Sequence, residues 1–238
     1  MEAMMNAKEK KQKMIAIVLA AGKGTRMGSD IPKQFLHIYD KPVLYYSLDA
    51  FQKHEGIDEI VLVVSDEYKQ YCKQEIVNKY SIDKVAAIVD GGAERYDSVI
   101  AGLKACVDCQ YVLIHDGARP CITETIISRC LVAVEQYDAC VVGMPSKDTI
   151  KIADENGFVA HTPQRSKVWN VQTPQAFSYT LICDAYEKMC SCGFKGVTDD
   201  AMVIELADLA KIRFVEGSYE NIKVTTPEDI KILENLLK

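Results

Sequence analysis

Between Gly22 and Lys33 the chain sets three glycines (Gly22, Gly24 and Gly28) among three cations (Lys23, Arg26 and Lys33). Residues without a Cβ let backbone N–H groups come close to an oxyanion, and clustered cations suit a multiply charged phosphate chain. Two common phosphate loops are excluded. There is no G-x-x-x-x-G-K-[ST] run, and the spacing G-x-G-x-x-x-G is one residue too long for the dinucleotide fingerprint. A dinucleotide loop also does not need this much positive charge. The segment reads as a triphosphate site of another kind.

Such a loop must be held by something rigid. The apolar run Ile15–Ala20 immediately before it has the character of a buried parallel strand, and ligands in open α/β sheets bind where such a strand ends. Further short β-branched runs follow at Glu59–Val64, Val85–Val89, Tyr111–His115 and Ala139–Val142. They are separated by stretches of helical character at Pro42–Lys53, Tyr68–Lys79, Ser98–Cys106 and Thr123–Gln136. This alternation predicts an α/β fold: a single-domain, Rossmann-like, mostly parallel twisted sheet flanked by helices. The pattern falters between Met144 and Pro174. There Thr149–Ile152 and Phe158–His161 flank Asp154-Glu155-Asn156-Gly157, a hairpin signal. With too little apolar surface for a core of its own, this hairpin is expected to project as an arm over about 144–174, with Trp169 and the Thr173-Pro174-Gln175 turn packing within it. Helical patterning returns at Tyr179–Met189 and Asp199–Leu206. Lys211–Val215 makes a late strand, and Thr226-Pro227-Glu228-Asp229 opens a closing helix. Residues 1–14 read as a flexible tail ahead of one domain over 15–238.

At 238 residues and 48% hydrophobic content, the chain can bury one large core. A net charge of −6 argues against a general nucleic-acid binder, so an anionic ligand must be met by local cations. Nine cysteines, scattered and odd in number, suit a reducing cytoplasm better than a disulfide framework. The close pairs Cys106/Cys109 and Cys190/Cys192 lack a second pair at zinc spacing and read as buried structural thiols, so no protein-ligated metal is expected. The lysine-rich Met1–Lys13 has no apolar core for a signal peptide, and no stretch approaches membrane-spanning length.

Leu19-Ala20-Ala21-Gly22-x-Gly24-x-Arg26-Met27 with Pro32-Lys33-Gln34 resembles the signature of sugar- and polyol-phosphate nucleotidyltransferases. The later blocks narrow the resemblance: Asp90-Gly91-Gly92-x-x-Arg95-x-x-Ser98, His115-Asp116-Gly117-Ala118-Arg119-Pro120, Lys147–Lys151, Gln172-Thr173-Pro174-Gln175 and Asn221–Thr225. In that order they are similar to the 2-C-methyl-D-erythritol 4-phosphate cytidylyltransferase family of the non-mevalonate isoprenoid pathway. Such an enzyme lets a phosphomonoester attack the α-phosphorus of CTP and release pyrophosphate. The nucleophile is already largely dianionic at neutral pH, with a second pKa of about 6, so no His–carboxylate or Ser–His constellation is needed. The demand is for charge neutralisation.

By this resemblance, Arg26 and Lys33 would stabilise the transition state and Lys23 would meet the outer phosphates. Ala20, Ala21, Gly22, Gly24, Gly92 and Ser98 would line the nucleotide site. Ala93 stands where some relatives carry an aspartate beside the cytosine, which turns base recognition there over to the backbone. Asp116, Arg119 and Thr198 would bind the polyol phosphate, and Lys223 would orient its phosphate. Thr149 and Arg165 belong to the arm, which in the family reaches into the partner subunit's site and so implies a homodimer. Mg2+ would be held mainly by the CTP phosphates. Plainer readings stand beside these: Lys23 as a solvated cation, Asp116 as a helix cap, Arg165 paired on its own chain, His115 as a packed core residue. A ribitol 5-phosphate cytidylyltransferase, or an inactive nucleotide-binding subunit, would share the glycine loop.

Overall fold

The computed structural model describes residues 12–22, 31–193 and 196–238. The expected tail therefore lies mostly outside the described residues, as do Lys23, Gly24 and Arg26. The chain runs β1 (Met14–Ala20), a 3-10 turn (Lys33–Phe35), β2 (His37–Ile38), β3 (Lys41–Pro42), α1 (Val43–Lys53), β4 (Glu59–Val64) and α2 (Asp66–Tyr71), which widens into a π-helical segment (Cys72–Asn78). Next come β5 (Val85–Asp90), α3 (Arg95–Ala105), β6 (Tyr111–Asp116), α4 (Glu124–Tyr137), β7 (Ala139–Pro145), β8 (Ile152–Ala153), β9 (Val159–His161) and a 3-10 turn (Arg165–Lys167). The chain closes with β10 (Trp169–Ser178), α5 (Tyr179–Cys192), α6 (Asp200–Ala207), β11 (Arg213–Glu216) and α7 (Pro227–Leu236).

Seven strands form the central sheet in the order β11-β7-β10-β6-β1-β4-β5, and only β10 runs antiparallel to its neighbours. Alternation along β1 explains why both faces are covered. Ala16, Val18 and Ala20 pack with α1 and α4 residues such as Leu44, Leu48, Ile127 and Val134. Ile15 and Ile17 face the opposite way, against Val99 and Leu103 of α3 and Ile182 of α5. A smaller cluster of Ile38, Val43, Ala118, Val224 and Leu233 ties α7 beside the β2–β3 ribbon. Cap chemistry sets several boundaries: Thr123 accepts from the Ile126 amide at the start of α4, and Thr226 with Asp229 forms a capping box on α7 behind Pro227.

Two expectations need correction. The arm is narrower than 144–174: Met144 and Pro145 end β7, and Trp169–Ser178 is an inner strand of the main sheet. The Gln172-Thr173-Pro174-Gln175 block therefore belongs to the sheet, where the β7 ladder shifts register between Val171 and Gln175, and Trp169 stacks on Phe214 of β11 with ring centroids 4.9 Å apart. Pro174 has no N–H to give a ladder, which is why a strand can carry it only at such an irregularity. Of the cysteine pairs, Cys106 is buried but Cys190 and Cys192 are exposed at the end of α5. The hairpin itself forms as expected, with the Asp154 side chain accepting from the Asn156 and Phe158 amides and Gly157 at φ +85°.

Candidate active site

A cavity of about 670 Å3 opens at the carboxyl ends of the strands and is lined from both sides by Ala20, Ala21, Gly22, Lys33, Gly92, Ser98, Asp116 and Lys223. Its first wall is built by β1, β5 and the residues after them. Pro32 enters at φ −56°, starting the turn that carries Lys33. Beside it the buried Gln34 donates through Nε2 to the carbonyls of Ala20 (2.7 Å) and Gly22 (3.1 Å). Gln34 thus pins the start of the glycine loop while Lys33 lines the cavity. Opposite, a Cβ on Gly91 would meet the Ala21 Cβ at 2.2 Å, and one on Gly92 would meet the Asp97 Cβ at 2.1 Å, so both positions demand glycine. Glu94 and Asp97 form a capping box on α3, and the Ser98 hydroxyl accepts from the Gly92 amide at 3.1 Å. The spacing of the Asp90–Ser98 block is that of a strand end, a close-packed turn and a capped helix.

The second wall gathers distant residues around Asp116, the last residue of β6. Lys223 Nζ lies 2.7 Å from Asp116 Oδ2, Arg95 Nε 3.6 Å from Oδ1 and Arg119 Nε 3.7 Å from Oδ2. Burial would raise the Asp116 carboxyl, but Lys223, Arg95 and Arg119 together hold it well below the usual carboxylate range. Burial lowers the Arg119 guanidinium, with Asp116 opposing the shift. Asp116 does not cap a helix, since Thr123 does that for α4. Behind the wall, His115 is fully buried, bonded to the Thr173 hydroxyl through Nδ1 (3.0 Å) and to the Arg119 carbonyl through Nε2 (3.2 Å). Burial pushes it down to about 4, leaving a neutral packed core residue at neutral pH. The same Thr173 hydroxyl accepts from the Asp116 amide at 3.1 Å. Arg119 Nη1 donates to the Asn221 carbonyl at 2.8 Å, and the Val224 amide to that of Ala118, so the Asn221–Thr225 segment is stitched along the wall with Lys223 facing Asp116.

Of the residues singled out from the sequence and described in the structure, Arg119, Thr149, Arg165 and Thr198 do not line this cavity, although Arg119 Nε lies 3.7 Å from the Asp116 carboxylate that does. Thr149 and Arg165 are exposed on the arm, and Arg165 forms no ion pair among the described residues. Thr198 is exposed, with its hydroxyl 3.6 Å from the Met202 sulfur. Residues without an assigned role appear instead. Arg95, the first residue of α3, forms two bonds to the buried Asp200 at 2.9 and 2.7 Å. Its place in the Asp90–Ser98 block marked it, but Asp199-Asp200 reads in sequence only as a helix start.

The match to the 2-C-methyl-D-erythritol 4-phosphate cytidylyltransferase family model extends over residues 14–238. The chain belongs to this family. It is 50% identical over 225 residues to the family member of Lachnospira eligens, covering 94% of this chain and 98% of that one. The family member of Clostridium botulinum strain Loch Maree is 52% identical over 224 residues, covering 93% and 96%. Among solved structures, the 4-diphosphocytidyl-2C-methyl-D-erythritol synthase of Anaerococcus prevotii superposes with a TM-score of 0.84 at 36% identity, covering 95% of this chain and 99% of that one. The family is one of nucleotidyltransferases, and the mostly parallel sheet read from the sequence is that of its solved members.

Proposed function

We infer that the protein couples CTP to 2-C-methyl-D-erythritol 4-phosphate, giving 4-(cytidine 5′-diphospho)-2-C-methyl-D-erythritol and pyrophosphate in isoprenoid precursor biosynthesis. The observation that carries this reading is one cavity joining the glycine turn and Lys33 to Asp116 and Lys223 in a chain matched to the family over residues 14–238. An oxygen of the acceptor phosphate attacks the α-phosphorus of CTP, and the bond to the bridging oxygen breaks to release pyrophosphate. Lys33, with Arg26 from the loop outside the described residues, meets the charge that gathers on the α-phosphoryl oxygens. Lys23 and Gly24 would meet the outer phosphates; Ala20, Ala21, Gly22, Gly92 and Ser98 flank the nucleoside. Lys223 holds the acceptor phosphate, while Asp116 accepts from polyol hydroxyls with Arg119 steadying it.

Among the described residues no three carboxylate, imidazole or thiol groups gather closely enough to hold a metal ion. Mg2+ is proposed as an ion carried on the triphosphate and water, a role suited to its reluctance to dehydrate. When bound it supplies neutralisation of the triphosphate charge.

The working unit is proposed to be a homodimer in which Thr149 and Arg165 complete the partner's acceptor site. In support, Phe158 and Val159 stand 72% and 63% exposed on a hairpin that buries nothing of its own. Nine free thiols support a reducing cytoplasm, and among the described residues no helix is long and apolar enough to cross a membrane. The test is pyrophosphate release from CTP with a panel of polyol phosphates. Preference for methylerythritol phosphate is expected. Comparable turnover of ribitol 5-phosphate overturns the substrate, and silence with every acceptor overturns catalysis.

A further inference from the structure

Asp200 is fully buried at the first turn of α6, and an ionised carboxylate there needs full compensation. It has it. Oδ1 accepts from Arg95 Nη1 (2.9 Å) and the Tyr186 hydroxyl (2.6 Å), and Oδ2 accepts from Arg95 Nη2 (2.7 Å). Gln175 fixes the helix start that presents it. Its Oε1 accepts from the amides of Asp200 and Ala201 at 3.0 and 2.9 Å, and its Nε2 donates to Asp199 at 2.9 Å. A buried pair of this kind is weak evidence for stability, since apolar replacements of similar volume are often as stable. What the pair does control is where a guanidinium can go. Arg95 lines the cavity, and its Nε stops 3.6 Å from Asp116 Oδ1, within ion-pair reach but beyond a good hydrogen bond.

We propose that Asp200, with Tyr186 and Gln175, is a positioning unit that restrains Arg95, keeping the Asp116 carboxylate free to bind the hydroxyl-bearing acceptor. The proposal rests on the assignment of Asp116 to the acceptor. Arg95 has one strong anchor and one weak neighbour. Released from Asp200, a guanidinium with unspent N–H donors closes on the nearest carboxylate as a fork, and that carboxylate is Asp116. Lys223 already bonds Oδ2 and Arg119 stands 3.7 Å from it, so a guanidinium forked onto both oxygens would compete with a polyol hydroxyl for the lone pairs that remain. Asp200 touches neither substrate; it acts through Arg95.

Asp200→Asn keeps the shape and the backbone bonds but loses the charge. The expected result is an acceptor KM raised roughly tenfold or more, equivalent to about 1.4 kcal/mol, with the KM for CTP changed less than about twofold. Adding Arg95→Gln to that variant removes the cation that closes on Asp116 and should recover most of the acceptor KM. A merely structural pair would instead move both KM values and kcat together. If Asp200→Asn does not fold, Tyr186→Phe weakens the same anchor and should shift acceptor KM in the same direction by a smaller factor. A crystal structure of the variant that folds gives a measurement independent of turnover: Arg95 should contact Asp116 directly. Unchanged acceptor KM, or Arg95 still standing off Asp116, overturns the positioning. Wild-type turnover with the acceptor is the separate control on the function itself.

Discussion

On one wall of the cavity, around Ala20–Gly22 and Gly91–Ala93, the chain presents backbone and small side chains; on the other, Asp116 stands among Arg95, Arg119 and Lys223. The first wall is made of close approaches. Gln34 ties two carbonyls of the loop, and Gly91 and Gly92 have no room for a Cβ. The second is made of charges whose placement depends on partners far along the chain. A nucleotide offers a flat base and a phosphate chain that backbone can read at short range, whereas a small polyol phosphate offers only hydroxyls and charge. The contrast suggests that lesions on the first wall act on CTP and lesions on the second on the acceptor, with Lys33 between them acting on the transition state.

The largest expected effect lies at that junction. Lys33→Ala should lower kcat far more than it weakens either substrate, by roughly 3–4 kcal/mol or two to three orders of magnitude, and Arg26→Ala should do the same. Lys33→Arg should recover only part, because a planar fork and a point ammonium place charge differently. A Lys33→Ala enzyme with normal kcat and a raised KM for CTP would move Lys33 onto the nucleotide wall and blur the division.

The second effect concerns the scaffold behind Asp116. His115 is buried and neutral, with Asp116 and Arg119 as its charged neighbours, and its pKa is lowered to about 4 from 6.5. A depressed folded-state pKa means the unfolded chain binds the proton first. The stability His115 contributes is therefore present above pH 6.5 and is lost as pH falls towards 4, by about 3 kcal/mol. Urea denaturation across pH 7 to 4 should show that slope, and His115→Asn should flatten it. An unchanged slope in the variant would place the acid sensitivity elsewhere.

The two walls also differ in how far they can be read without a structure. The glycine turn of the first wall is legible from spacing because its parts are contiguous: a strand, its glycines and Pro32-Lys33-Gln34. That Gly92 and Ser98, more than fifty residues on, join the same wall is legible only through resemblance. The acceptor wall was legible only through resemblance, because positions 95, 116, 119, 200 and 223 meet through sheet order, which no local pattern records. Asp200 was missed for that reason. Trp169–Pro174 reads from the sequence as arm because Asn170, Gln172 and Pro174 break any β-branched run, although the strand it opens, β10, lies between β6 and β7. Its polar side chains serve the site instead, Thr173 bonding His115 and the Asp116 amide, and Gln175 holding α6.

A smaller effect separates the walls directly. Gly91→Ala forces a methyl against Ala21 and the Ser98 hydroxyl, and overpacking of this kind costs about 1–3 kcal/mol. The expected kinetic signature is a raised KM for CTP with the acceptor KM nearly unchanged. Lys223→Met should give the reverse. Should both variants shift both constants alike, the walls would be one coupled surface.

The smallest signal, a partial recovery, asks whether the acceptor wall belongs to one subunit. Thr149 and Arg165 lie on the exposed arm and outside their own chain's cavity, so the proposed dimer lends them to the partner. Arg165→Ala should then dimerise normally but bind the acceptor poorly, while Lys33→Ala carries its lesion in its own cavity. A mixed dimer would hold one site with both lesions and one with neither. At random one-to-one exchange half the dimers are mixed, each with one intact site, so activity should rise to roughly a quarter of wild type. If Arg165 served its own cavity, every site in the mixture would keep one lesion and nothing would be gained. Activity no greater than the sum of the separate variants, with subunit exchange confirmed independently, would make the acceptor wall, like the nucleotide wall, the property of a single chain.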